Sequence, residues 1–189
     1  MSDLIAALVA FSIISNPTAA GYWWHQVTPR PKERQALLAT GLIFVLGLIC
    51  IMAAEPLLEL LRISPGTWRI ATGALMIAGI LWAVLRRRPF TPATLEGEQP
   101  TWLLPARLAV WIYQPALIAT VISITVDEGP RRALLAVAFG TMLLFQMLVR
   151  ASYLPYRLRP STWREVSRVT ALVGLIVAVQ FILAGVYTA

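Results

Sequence analysis

Two amide–proline pairs, Asn16-Pro17 and Gln114-Pro115, interrupt otherwise apolar runs of the sequence. Proline removes one backbone donor and disfavours helical geometry in the residue before it, so a helix that carries such a pair leaves backbone groups without helical partners. Inside a membrane, such groups are tolerated only where protein or a wet cavity satisfies them. The two pairs therefore predict a site that binds a small polar solute.

The first pair is the stronger candidate, because Asn16 can cap a second half-helix that begins at Pro17. The hydroxyl side chains of Ser15 and Thr18 flank it. A half-helix that begins at mid-membrane turns free N–H groups and partial positive charge towards the site, which favours an anionic or carbonyl-bearing group. Glutamine caps helices less well, and at the second pair we expect a kink rather than a clean break.

Thr120 and Gln180 are second-rank binding candidates, and Gln146 is a further amide within an apolar run. The two glutamines could instead hydrogen-bond to neighbouring helices, and this structural interpretation is the favoured one for them. Either amide–proline pair alone also fits a purely structural role, since proline is common in membrane helices. Their matching positions in the two halves of the chain favour a shared binding site.

Residues that could support catalysis or metal binding do not cluster in the sequence. His25 is the sole histidine, and Cys50, the sole cysteine, lies within an apolar run. This excludes an internal disulfide and a cysteine-based metal site, and leaves no partner for a nucleophile. We therefore expect no enzyme activity, no cofactor and no metal.

The elements that must position these residues are membrane-spanning helices. Of the 189 residues, 58% are hydrophobic and only 13% are charged, whereas soluble domains have about 25% charged residues. The charges lie between apolar runs whose lengths approach that of a bilayer. Six spans fit the hydropathy: 4–24, 36–55, 68–86, 104–126, 133–149 and 166–188. Between the second and third spans, the sequence predicts a short interfacial helix from Pro56 that ends at Ser64-Pro65-Gly66.

The net charge of +7 reflects membrane topology rather than nucleic-acid binding, because the basic residues flank apolar segments instead of forming one polar face. Twelve Lys and Arg residues fall on the first, third and fifth connections and their span ends, and four fall on the opposite side. Because cytoplasmic loops retain basic residues, both termini are predicted to lie outside.

The two halves of the chain share an internal pattern. Thr67-Trp68-Arg69 opens the third span and Thr162-Trp163-Arg164 opens the sixth, and the tryptophans follow the proline of their half by 51 and 48 residues. The pattern divides a single transmembrane domain into repeat one, about 4–86, a cytoplasmic loop, about 87–103, and repeat two, about 104–189. Because each repeat has three spans, the second would be inverted, as in inverted-repeat transporters.

Two stripes of small residues, Ala74-x-x-x-Ala78 and Ala136-x-x-x-Gly140, predict close helix packing. They support an alternative function, in which the chain is a non-transporting structural or assembly subunit of a membrane complex. A lipid flippase that depends on Arg86-Arg87-Arg88 is an intermediate alternative. A membrane enzyme ranks last, because acid, base and nucleophile candidates do not converge.

The sequence resembles the MarC family of bacterial integral membrane proteins, within a wider group that includes LysE-type amino-acid exporters. The resemblance covers nearly the whole chain and depends on three stretches: Ile14-Ser15-Asn16-Pro17, Leu61-Arg62-Ile63-Ser64 followed by Trp68-Arg69-Ile70-Ala71-Thr72-Gly73, and Ala178-Val179-Gln180-Phe181-Ile182-Leu183. It implies a six-span inner-membrane protein with an external amino terminus. The family usually has a Gly-Pro-Gly element in the fourth span, where this chain has Gln114-Pro115-Ala116.

Residues and resemblance together predict an all-α membrane protein of six helices in two inverted three-helix repeats, with the first and fourth helices broken or kinked at Pro17 and Pro115. The predicted function is secondary transport or export of a small polar solute across the bacterial inner membrane, with both termini periplasmic. Its partners would be the lipid bilayer and the solute, not nucleic acid, and a homo-oligomer is left open. The predicted binding residues are Ser15, Asn16, Pro17, Thr18, Gln114, Pro115, Thr120 and Gln180.

Overall fold

A computed structural model describes residues 2–17, 20–21, 24, 33–85, 103–153 and 160–188, and this part of the chain is helical without strands. Its seven helices are α1 (Ser2–Ile14), α2 (Glu33–Leu61), α3 (Pro65–Leu85), α4 (Leu104–Ile112), α5 (Pro115–Glu128), α6 (Pro130–Tyr153) and α7 (Pro160–Thr188). Thr18, His25 and Arg86-Arg87-Arg88 lie outside the described residues, as does most of the predicted loop 87–103.

Three of the described segments are long and apolar enough to cross a membrane: Glu33–Leu61, Pro130–Ala151 and Val169–Thr188. A fourth crossing is formed if α4 and α5, which are bent by 66° at a short break, are counted as one span. Large apolar side chains such as Met52 and Ile176 are exposed on the outer faces of these helices. Such surfaces are typical of contact with lipid, so the helices indicate a membrane protein.

The connection between α2 and α3 differs from the prediction. α2 continues through Pro56 to Leu61. The prediction of a separate interfacial helix that begins at Pro56 is therefore wrong. A proline inside a membrane helix is tolerated when other groups satisfy the freed backbone. The helix ends at Leu61, and the next residue, Arg62, has a φ of 53° in the left-handed region.

α3 begins one turn earlier than the predicted span, because Ser64 caps it. The Ser64 Oγ accepts a hydrogen bond from the Thr67 backbone N–H at 3.2 Å, and the Trp68 N–H donates to the Ser64 carbonyl oxygen at 3.0 Å. Pro65 then occupies the first helical position, where its missing N–H has no cost.

α3 and α7 form the most extensive helix pair of the described chain. Their backbones approach closely at two glycines, since a β-carbon on Gly73 would lie 2.6 Å from the Ala178 carbonyl oxygen and one on Gly185 would lie 2.7 Å from that of Gly66. Small residues allow this approach, which replaces the hydrophobic effect as the source of helix association within lipid.

The remaining helices pack around α5 and α6. α6 packs against α1, α2 and α5, while α2 also packs against α4 and α5. α1 contacts α5 and α7, and α3 contacts α5. The Ala136–Gly140 stripe of α6 is buried, with Ala136 in a cluster with Ala7 and Gly140 against the Phe11 ring, as the sequence predicts. Ala74 and Ala78, in contrast, are exposed on α3.

The start of α1 and the end of α7 lie at the same end of the bundle. Ala7 packs with Ile124, near the end of α5. The Arg69 Nε donates to Asp127 Oδ2 at 2.6 Å, and the Arg69 Nη1 donates to the Thr188 hydroxyl at 3.3 Å. We call this the terminal end of the bundle.

Candidate functional site

The first amide–proline pair interrupts the helical structure at the end of α1. α1 ends at Ile14, and Asn16 adopts a φ of 41°, a left-handed conformation that asparagine tolerates better than most residues. The backbone is helical again at Pro17, and the Ala20 N–H donates to the Asn16 carbonyl oxygen at 3.1 Å. The predicted break at this pair is therefore confirmed.

The second pair also produces a full break, so the expectation of a kink is wrong. Gln114 is extended, with φ −69° and ψ 157°, between α4 and α5, and its side chain makes no capping hydrogen bond. Its carbonyl oxygen instead accepts from the Ile118 N–H at 3.2 Å. The backbone thus begins α5 without a good capping side chain, and the residue before proline takes its preferred extended geometry.

Residues on either side of the two breaks pack together. Ile14, which ends α1, packs against the cluster that contains Ile112 and Leu117. It also packs, with Ile13, against the cluster that contains Ala116. The fold therefore places the two interruptions in one neighbourhood at the α1–α5 contact.

The predicted binding residues differ in their surroundings. Asn16, Pro17 and Gln114 are half-buried at the breaks, and Pro115 is exposed at the start of α5. Ser15 and Thr120 are buried, but each hydroxyl donates to a backbone carbonyl about one turn earlier, that of Ser12 at 3.2 Å and that of Ala116 at 2.7 Å respectively. Such local bonds are usual for helical hydroxyls. Gln180 lies on the exposed face of α7, and Gln146 is exposed on α6.

Tyr113 is a site residue that the sequence reasoning missed. It lies between α4 and Gln114, and its hydroxyl is buried without a hydrogen-bond partner among the described residues. The oxygen lies against α2, where a β-carbon on Gly47 would approach it to 2.8 Å. A buried unpaired hydroxyl is costly and calls for an explanation. The signal available in the sequence was a phenol directly before an amide–proline pair.

Ser123 carries a second buried hydroxyl without a partner in the described chain. It lies one helical turn from Ala119 on one side and from Asp127 on the other, so the three residues share a face of α5. That face meets α3, because the Trp68 Nε1 donates to the Ala119 carbonyl oxygen at 3.2 Å and Asp127 pairs with Arg69. Polar groups therefore extend along the α3–α5 contact from the terminal end into the bundle.

An open groove of about 420 Å³ lies at the terminal end, between the end of α2 and the start of α3. Its polar lining includes Glu55, Glu59 and Arg62. Neither amide–proline pair lines it, so the groove is separate from the breaks. Across the described residues, no group of three or more His, Cys, Asp or Glu side chains is placed to hold a metal ion.

Comparison with family models, with curated proteins and with solved structures gave no match. The resemblance to the MarC family stays a prediction from the sequence. The candidate site is therefore defined by geometry alone: two helix breaks that share packing clusters, with the unpaired Tyr113 hydroxyl beside one of them.

Proposed function

We propose that the chain is a secondary transporter, an exporter of a small polar solute, whose binding site lies between two inverted three-span halves. One observation carries the proposal: both amide–proline pairs break their helices, and the Tyr113 hydroxyl beside the second break is buried without a partner. Hydrogen-bonding groups that lack a protein partner inside a membrane are typical of sites that bind a polar ligand.

The pattern of helix pairs supports the inverted repeat. If a twofold axis relates the two halves, a contact between the first span of one half and the second span of the other must occur twice, once in each direction. α1 packs against α6, and correspondingly α2 packs against α4 and α5. α3 packs against α5, and correspondingly α7 packs against α1. The other extensive pairs between the halves, α2–α6, α3–α7 and α1–α5, join spans in equivalent positions.

The groups at the breaks suit a solute that carries a carbonyl or carboxylate. The amides of Asn16 and Gln114 offer both donors and acceptors, and the Tyr113 hydroxyl offers one of each. The helix that begins at Pro115 directs its positive dipole end towards the second break. Rocking of one half against the other would expose this site to each side of the membrane in turn.

The Tyr113→Phe variant tests whether the Tyr113 hydroxyl binds solute or only contributes to the stability of the fold. If the hydroxyl has no ligand, its removal abolishes a desolvation cost, so stability stays equal or rises. If the hydroxyl binds solute, we expect efflux to fall about tenfold while the melting temperature does not fall. The measurement is efflux from proteoliposomes loaded in turn with single radiolabelled amino acids and polyols. Tyr187→Phe is the matched control, since Tyr187 is 86% exposed on α7.

Two results would contradict the proposal. One is an absence of wild-type efflux, above that of protein-free vesicles, for every solute in the set. The other is Tyr113→Phe efflux equal to wild type for every solute that the wild type moves.

The exposed Ala74 and Ala78 on α3 favour the second candidate, an assembly subunit that does not transport. Small residues on an outer face permit close approach of another membrane helix. In that case Ala74→Leu would reduce the yield of a larger complex on native gels, and Asn16→Ala would leave it intact.

A further inference from the structure

The outer face of α7 presents a regular row of exposed residues. Positions along it alternate in spacings of four and three, the a and d pattern of a coiled-coil seam. The row, called here the α7 seam, is Val169, Val173, Ile176, Gln180, Leu183 and Tyr187. Its apolar members are 38–86% exposed. A helix can pack against another helix along such a row.

Gln180 is the one amide in the α7 seam, and its side chain makes no hydrogen bond within the described residues. Thr188, eight residues later, contacts Arg69 at the terminal end of the bundle. At 1.5 Å per residue, Gln180 lies about 12 Å further in, close to the midplane of a hydrocarbon core about 30 Å thick. A glutamine side chain is too short to reach either membrane surface from there.

An amide that faces hydrocarbon without a partner is costly, so a partner at the same depth is required. A second copy of this chain in the same membrane orientation provides one, because a twofold axis along the membrane normal places identical residues at identical depth. The glutamine amide carries donors and an acceptor, and two such amides can therefore pair with each other. A polar residue at a single a position also fixes the register of a helix pair.

We propose that the chain forms a homodimer through the α7 seam, with the Gln180 amides of the two copies hydrogen-bonded at mid-membrane. This interface is independent of the solute site, since the seam lies on the outer face of α7 and the breaks lie at the α1–α5 contact. It also gives a partner to the Gln180 amide, which makes no hydrogen bond to the other described helices.

Disulfide cross-linking in native membranes tests the geometry. Replacing the sole cysteine by Cys50→Ala gives a background for single Ile176→Cys and Leu183→Cys variants. Mild oxidation should cross-link both to dimers, because their side chains face the twofold axis. Val186→Cys is the matched control: it is 59% exposed, against 50% for Leu183, but lies about 100° around the helix from Tyr187 and outside the seam. Cross-linking at Val186 equal to that at both seam positions would overturn the proposal.

The role of the amide is tested with purified full-length chain in lipid vesicles over a range of protein-to-lipid ratios, by single-molecule photobleaching. Gln180→Leu should weaken dimerisation about tenfold, and Gln180→Asn should retain most of it because the amide is kept. The melting temperature of the monomer should not fall, since Gln180 makes no contact that the fold needs. A wild type that stays monomeric at every ratio, or a Gln180→Leu variant that dimerises like wild type, would overturn the proposal.

Discussion

Gly73 of α3 lies against the backbone of Ala178 in α7, so closely that a β-carbon at position 73 would stand 2.6 Å from the Ala178 carbonyl oxygen. Because that oxygen belongs to a helix backbone, it cannot rotate away. Gly185 has the same relation to the Gly66 carbonyl. The α3–α7 pair therefore depends on residues without side chains at both points.

Gly73→Ala should lower the free energy of unfolding by about 1–3 kcal/mol, because the added methyl forces the two helices apart. Gly79→Ala is the control in the same helix, since a β-carbon there meets nothing within 4 Å. That variant should be neutral or stabilising, because alanine favours helix more than glycine does. Thermal unfolding in detergent measures both, and equal shifts in melting temperature would contradict the close contact.

Hydropathy predicts six spans, and the described residues contain three that are long and apolar enough to cross a membrane, or four if the bent α4–α5 pair is one span. It predicts their ends less well. The second span was predicted over 36–55, whereas α2 covers Glu33–Leu61. The charge of Glu55 and the proline at position 56 favour a helix end near residue 55. The backbone conformation decides where a helix ends, and here the change comes at Arg62, which is left-handed.

The positions of the breaks were predictable, since proline acts on its own backbone and on the residue before it. The surroundings of the breaks were not. Ala74-x-x-x-Ala78 and Ala136-x-x-x-Gly140 are equivalent patterns, yet the first is exposed and the second is buried. The Tyr113 hydroxyl likewise lies against Gly47, a residue of another helix. These relations depend on packing between distant segments, which local patterns do not encode.

The left-handed backbone of Asn16 allows its main chain and side chain to be tested separately. Asn16→Gly should lower the melting temperature less than Asn16→Val does, because glycine adopts a φ of 41° without strain. Asn16→Val should lower the free energy of unfolding by about 1–2 kcal/mol, since a β-branched residue is strained there. If the Asn16 amide binds solute, Asn16→Gly also loses efflux in proteoliposomes. Full efflux by Asn16→Gly would remove Asn16 from the proposed site.

The ion pair between Arg69 and Asp127 should stabilise the terminal end of the bundle. The side chains are only 21% and 14% exposed, so Asp127→Asn leaves the partly buried Arg69 without its negatively charged partner and should cost about 1.5–3 kcal/mol. Glu128 and Arg132 provide the comparison, since Glu128 ends α5, its partner lies four residues later in the first turn of α6, and Arg132 is half exposed. Glu128→Gln should cost about 0.5 kcal/mol or less. Similar losses for the two variants in detergent unfolding would contradict the difference in burial.

The hydrogen bond from Tyr153 to Glu33 predicts a pH effect at the end of the bundle opposite the terminal end. Tyr153 lies beyond the apolar span that ends at Ala151. The hydrogen bond, followed by the negative charge of Glu33, raises the pKa of Tyr153 above the usual value of about 10. Because the folded-state pKa is the raised one, the contact stabilises the fold fully below the usual tyrosine pKa, and its contribution is lost as the pH rises through the raised value.

Glu33→Gln should therefore lower the pKa of Tyr153 towards the usual value, because it removes the charge that opposes the phenolate. Ultraviolet titration of the phenolate measures this directly, and subtraction of the Tyr153→Phe protein separates Tyr153 from the other tyrosines. Arg34→Gln is the matched control, since it changes the neighbouring residue of α2 and leaves the Glu33 carboxylate in place. An unchanged pKa in Glu33→Gln would show that α2 and α6 are not joined by this hydrogen bond in the membrane.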